Sequence, residues 1–148
     1  MTIPGSDILA LVTTAGKMRI AGMLTDGKSF KVDTFRLGDG GYDLLDPTLP
    51  ITPDPSATDV YGTPGGVLTK VIQSVGLQSP TCPVFTCVAA AGEGTGPIGS
   101  IGLLGTIVYS PIPGDPEIGL KFLFALATMP LRVKVPLEVF TFNVGIIL

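Results

Sequence analysis

The side chains of this chain that could do chemistry are a few carboxylates, two thiols and one glycine-rich run. Histidine is absent from all 148 residues. That removes the commonest general acid or base, the imidazole ligands of catalytic zinc, and every serine triad built on histidine. Asp39, Asp43 and Asp46 gather around a glycine turn and can offer oxygen atoms to a hard cation such as calcium. Their spacing departs from the D-x-D-x-D-G loop pattern, so the simpler reading is a solvated, turn-forming acidic corner. Glu93 with Asp115 or Glu117 would make a carboxylate pair of the kind that hydrolyses glycosides. Pro-rich turns account for the setting of all three without any such role. Gly94-Thr-Gly-Pro-Ile-Gly99 spells G-x-G-x-x-G. A dinucleotide site needs a helix after that run. Pro97 and the β-type residues behind it deny the helix and leave a flexible β-turn. Cys82 and Cys87 fall on opposite faces of a regular strand, and without histidine they cannot close a zinc site in one chain. Reduced, partly buried thiols are expected. No catalytic, cofactor-binding or metal residue is assigned, no cofactor is expected, and the chain is expected not to be an enzyme.

The elements that carry these residues are mostly strands. Phe30-Lys-Val-Asp-Thr-Phe-Arg-Leu-Gly-Asp-Gly-Gly41 reads as a strand that runs into a glycine turn. Phe30, Val32, Thr34 and Arg36 would share one face, and Lys31, Asp33, Phe35 and Leu37 the other. That alternation is imperfect, so both faces are expected to meet protein. Gly38, Gly40 and Gly41 admit positive φ, and Asp39 can bond back to nearby backbone to tighten the turn. Upstream, residues 1–6 are a short lead-in, and Ile8 to Val12 is either a strand or the first turns of a helix. Thr13 or Thr14 is the N-cap of a helix to about Leu24. On it Ala15, Met18 and Gly22 share one face, and Ile20 and Leu24 lie near another. Thr25-Asp-Gly-Lys28 is a turn.

Residues 42–66 form a long polar loop with Pro47, Pro50, Pro53, Pro55 and Pro64. Loops of that length inside a domain are uncommon and often make contacts. Tyr42, Pro47, Pro50, Pro53, Pro55 and Tyr61 are therefore candidate docking residues, the alternative being a plain surface insertion. From residue 67 to 148 the chain is β-rich. Strands are expected over 67–75, 83–91, 101–109 and 119–128, with a turn segment at 110–116. Residues 131–139 give the cleanest alternation, with Leu131, Val133, Val135, Leu137 and Val139 facing one way. Pro136 would place that strand at an edge or a bulge. The phase flips at Val139-Phe140, which a bulge would explain. The uncharged C-terminus is expected to be packed. The fold class is α+β but mostly β: one domain over 1–148, an antiparallel β-sandwich with an N-terminal helix and a Pro-rich loop.

Composition adds a constraint on partners. The hydrophobic fraction is 45% but only 14% of residues are charged, well below the usual quarter. A lone soluble monomer carries more charge than that, so much of the surface is expected to face other subunits. A net charge of −3 with no basic stripe argues against nucleic acid. The apolar segments are too short or too broken to span a bilayer as a helix, and no secretory signal is visible.

The motifs, taken in order, bear a family resemblance. Thr13-Thr-Ala-Gly-Lys-Met-Arg-Ile-Ala-Gly22, then the strand, then Leu37-Gly-Asp-Gly-Gly41, resembles the N-terminal domain of bacteriophage tail fibres and tail-collar fibres, which attaches a fibre to the baseplate. Ile98-Gly-Ser-Ile-Gly-Leu103 is similar to the family's "I-x-E-I-G-L" strand, with Ser100 where an acidic residue is usual. Phe124-Ala-Leu-Ala-Thr-Met-Pro130 resembles its "F-A-x-x-x-x-P" segment. The resemblance implies a structural virion protein of the phage tail, assembled in the host cytoplasm as a homotrimer and docked on tail or baseplate proteins. The alternative is a receptor-binding β module for a host surface glycan, against which the lack of Trp weighs mildly.

Overall fold

The longest apolar runs of the chain lie side by side, because only a sheet can give three of them neighbours on both edges. The computed structural model describes residues 8–148; the lead-in over residues 1–6 lies outside them. In chain order the elements are β1 Ile8–Leu9, β2 Leu11–Val12, α1 Thr14–Thr25, β3 Ser29–Gly38, β4 Leu68–Val71, β5 Ser74–Ser79, β6 Cys82–Ala89, β7 Gly96–Tyr109, β8 Lys121–Lys134 and β9 Phe140–Gly145. They form a five-stranded sheet, order β2-β8-β7-β3-β4, and a four-stranded sheet, order β1-β9-β6-β5. All pairings are antiparallel except β1 with β9. The two sheets pack face to face as a mostly β sandwich with one helix, the expected fold class.

The core between the sheets is built from Phe35, Leu37, Ile101, Leu103 and Met129 on one side and Phe85, Cys87, Phe142, Val144 and Ile146 on the other. Phe35 is fully enclosed, and its truncation to alanine would cost about 3–5 kcal/mol. Both faces of β3 meet protein, Thr34 being buried and Arg36 paired with Asp59, but the division of its residues between the faces needs revision. A register shift between Val32 and Thr34 inserts one residue, so Phe30, Val32, Phe35 and Leu37 all pack on the core. A β-bulge switches the phase of a strand, which is why the alternation looked imperfect.

Strand limits differ from the sequence reading wherever the chain changes sheets. The single strand expected over 67–75 is two, β4 in one sheet and β5 in the other. Buried Ile72 marks the crossing; Ile72 N donates to Asp33 O (2.9 Å) and Gln73 N to Thr86 O (2.9 Å). Residues 8–12 cross on the opposite side of the sandwich, pairing first with β9 and then with β8. Strand β7 begins at Gly96, inside the glycine run read as a turn, and β8 passes through Pro130 to Lys134. Pro136 then lies in the turn to β9 rather than in a strand. The phase change at Val139-Phe140 is therefore a change of sheet, not a bulge.

The clean alternation of 131–139 is inverted as well. Val133, Val135, Leu137 and Val139 are exposed, and Lys134 is 1% exposed. Lys134 Nζ donates to Ala90 O (2.8 Å) in the β6–β7 turn, where Glu93 also takes Lys70 Nζ (2.7 Å) and Ala90 N (2.9 Å). A buried ammonium is tolerated where carbonyl and carboxylate oxygens receive it. The C-terminus is packed in part: Ile146 is buried, while Ile147 and Leu148 stay exposed.

Helix α1 starts where expected, Thr13 Oγ1 accepting from Gly16 N (3.0 Å) as N-cap. The same hydroxyl donates to Leu123 O (2.6 Å), which ties the helix start to β8. Each expected helix face packs only in part: Ala15 and Gly22 are half-buried but Met18 is 68% exposed, and Ile20 packs on the core while Leu24 is 84% exposed; Gly16 is the buried residue of the helix. Among the described residues no helix is long and apolar enough to cross a membrane.

An ion cluster holds the 110–120 turn against the helix. Lys28 Nζ meets Asp115 (3.0 Å) and Glu117 (2.5 Å), and Arg19 meets Glu117 (3.0 Å). Asp115 also accepts from Ser110 Oγ (2.7 Å) and Glu117 N (3.0 Å). The Ser110 hydroxyl, the Glu117 N–H and Lys28 pull its carboxyl down to about 2. A carboxylate depressed in the folded state stabilises it fully above the ordinary carboxylate range, and that contribution fades as pH falls. Thermal unfolding between pH 7 and pH 2 should therefore show wild type losing an advantage over Asp115→Asn as pH drops from about 4 to about 2. Parallel pH profiles for the two proteins would refute the role given to Asp115.

Candidate docking surface

The glycine turn singled out in the sequence is a clasp for the long loop that leaves it. Gly38 ends β3, buried, and a Cβ there would lie 2.5 Å from Tyr61 O. Only glycine lets the returning strand of the loop come that close. Gly40 N donates to Tyr61 O (3.0 Å), and Ile51 N donates to Gly41 O (2.9 Å). Asp39 turns across the gap: Thr63 N donates to Oδ1 (2.7 Å) and Thr63 Oγ1 to Oδ2 (2.7 Å). The Thr63 N–H, then its hydroxyl, hold the Asp39 carboxyl below the usual carboxylate range. Gly62, at φ 95, lies against the same carboxylate. Residues 38–41 and 61–63 thus form one knot at the loop's neck.

Between its ends the loop lies on the outer face of the five-stranded sheet. Val60 is buried on Leu104, Leu123 and Leu126, with Ala57 and Tyr61 beside it. The backbone is fastened at several points: Thr14 N donates to Pro55 O (2.7 Å), Leu131 N to Pro47 O (2.9 Å), and Thr128 Oγ1 to Ile51 O. Arg36 pairs with Asp59 (3.0 Å), whose other oxygen takes Gly65 N (2.8 Å). Loop backbone needs partners when it covers a sheet, and these bonds provide them. Residues 42–66 therefore act as a lid over apolar strand residues, an arrangement that a polar-loop reading does not anticipate.

The candidate docking residues divide. Tyr42 and Tyr61 are half-buried and face inward: Tyr42 packs over Gly99, and Tyr61 OH accepts from Asp54 N (2.8 Å). Pro47, Pro50 and Pro55 are exposed, and Pro53 is half-buried. The most exposed apolar side chains of the loop are ones not singled out from the sequence, Leu44 and Leu45, at 85% and 96% exposure. Their signal was present: two adjacent leucines in a loop have no helix or strand face to belong to. The acidic corner is not one site. Asp43 Oδ1 accepts from Leu45 N (2.9 Å) and Asp46 Oδ1 from Thr48 N (3.2 Å), each closing its own turn.

Apolar exposure continues elsewhere. A groove of about 810 Å³ opens between the helix, β1, β2 and the C-terminus. It is lined by Ile20, Met23, Phe30, Phe85, Ile147 and others, with Lys17 its charged member. The β8–β9 turn adds Val135, Leu137 and Val139, and β5 adds Val75 and Leu77. Both thiols are free and buried, and burial pushes Cys87 up to about 12, the range of an inert structural thiol. The chain matches no family model, no curated protein and no solved structure.

The clasp yields a graded prediction. Gly62→Ala puts a methyl against Asp39 at positive φ, whereas Gly65→Ala meets open space at φ 79. Gly65→Ala should cost about 1 kcal/mol, the strain of positive φ alone, and Gly62→Ala clearly more. Limited proteolysis should then cut Gly62→Ala first within residues 42–66. Equal stability and equal cleavage of the two variants would exclude the knot.

Proposed function

We propose that this protein is a structural subunit of a phage tail, a small fibre-type or adaptor protein that associates with copies of itself and docks on neighbouring tail or baseplate proteins in the virion. One observation carries the reading: large apolar side chains stand in water at the lid, the helix, the β8–β9 turn and β5, on a chain with few charges. A soluble monomer seldom leaves so many apolar surfaces uncovered, and contact with other subunits removes them from water. The order of the motifs supports the tail assignment, and through it three copies. The clasp supports a rigid lid, which presents Leu44 and Leu45 without the ordering cost of a loose loop.

A structural role also agrees with where the polar groups go. The carboxylates of the loop and of the 110–120 turn close turns or meet ammonium and guanidinium partners. The glycan-binding alternative has less in its favour. Sugar recognition draws on exposed aromatic faces, and Tyr109 is the exposed aromatic residue among the described residues.

Leu44→Ser with Leu45→Ser is the direct test. Both side chains are almost wholly exposed, so thermal stability should stay within about 0.5 kcal/mol of wild type. Incorporation into assembled tail particles should fall sharply. A purified chain that stays monomeric in sedimentation, and a double variant that enters particles as well as wild type, would together sink the proposal.

A further inference from the structure

We infer that β5 is the seam of a two-fold contact between copies of this chain, formed by antiparallel pairing of β5 with β5. The sandwich has four edge strands, and it blunts three of them. Strands β1 and β2 are two residues long, and β4 is four residues long with Lys70 in it. Short or charged edges resist pairing with another chain. Strand β5, Ser74-Val-Gly-Leu-Gln-Ser79, is six residues long, carries no charge and no proline, and pairs only with β6 among the described residues.

The direction of its backbone groups follows from the neighbours. Pro83 O accepts from Ile146 N (3.1 Å), so Pro83 faces β9; Thr86 O accepts from Gln73 N (2.9 Å), so Thr86 faces β5. Backbone groups alternate along a strand, which makes Val84 face β5 too. Gly76 and Ser74, opposite Val84 and Thr86, then turn their N–H and C=O inward to β6. Val75 and Leu77 turn theirs outward, to the open edge.

That pattern is self-complementary. With a two-fold axis at Gly76, Val75 of one copy stands opposite Leu77 of the next, and the reverse. Each such pair exchanges two N–H···O bonds, so four bonds satisfy every outward group of Val75 and Leu77 in both copies. Gly76 meets Gly76 in the close, non-hydrogen-bonded position. Val75 and Leu77, now 57% and 73% exposed, become a cross-strand apolar cluster beside Pro83 and Phe85, which line the groove. No charge opposes another across the seam. The contact needs only copies of the chain and does not rest on the tail assignment; a two-fold seam cannot close a ring of three, so in a three-copy assembly it joins one assembly to the next, and being confined to β5 it leaves the lid free for other contacts.

Gly76 is also the place to test it. Its φ is not positive, and a Cβ there has nothing within 4 Å, so the single chain accepts a side chain. Gly76→Lys sets two ammonium groups directly opposite across the axis. In sedimentation equilibrium the two-fold species should dissociate at least about tenfold more readily than wild type. Gly76→Cys should form a disulfide-linked dimer on mild oxidation, because Cα atoms in that position are about 4.5 Å apart, within disulfide reach. Cys82 and Cys87 are buried and supply no competing link. Wild-type association retained by Gly76→Lys, or no cross-link in Gly76→Cys, overturns the seam. If the chain still self-associates in either case, the assembly reading stands without it; a monomer throughout fails both.

Discussion

A sheet that is apolar on both faces is the constraint behind this structure. Strands β7 and β8 send Ile101, Leu103, Ala125 and Ala127 to one side and Leu104, Leu123 and Leu126 to the other. A strand buried on one face alternates; one buried on both does not, and needs cover from two directions. The four-stranded sheet supplies one cover. Among the described residues there is no second helix for the other, so the long loop takes that place, with Val60 as its apolar contact.

The glycine clasp follows from that. A loop serving as a layer must be held at its neck, and its backbone must approach the end of β3 more closely than side chains allow. Gly38 and Gly62 remove the obstacle, and Asp39 fills the remaining gap with two hydrogen bonds to Thr63. The motif is therefore architecture. It fastens the covering loop at its neck to the end of β3.

The same economy explains the exposed apolar side chains. One sandwich of this size has two interior layers to fill, and both are filled. Leu44, Leu45, Val75, Leu77 and Leu137 belong to neither. Phe35, Leu103, Leu126 and Val144 fill the interior and are fully enclosed there. On the proposed reading, contact with another chain removes them from water.

Much of the architecture was legible in the residues. The Thr13-Thr14 pair marked the helix start, since capping is a local bond within one turn. Strand-rich character over 67–148 is equally local, whereas the turn at 38–41 is held by Tyr61 and Thr63, far along the chain. Three things were decided only by the tertiary structure. The alternation of 131–139 points Lys134 inward and its valines outward, because the β6–β7 turn offers oxygen atoms to the ammonium and no second sheet lies over the valines. The run 67–75 breaks where the chain changes sheets, which periodicity cannot register when both halves remain extended. And the loop reads as polar solvent-facing chain until the sheet beneath it is seen to have a second apolar face. Local bonding is written in neighbouring residues; which face is covered depends on segments far apart in sequence, and only their meeting decides it.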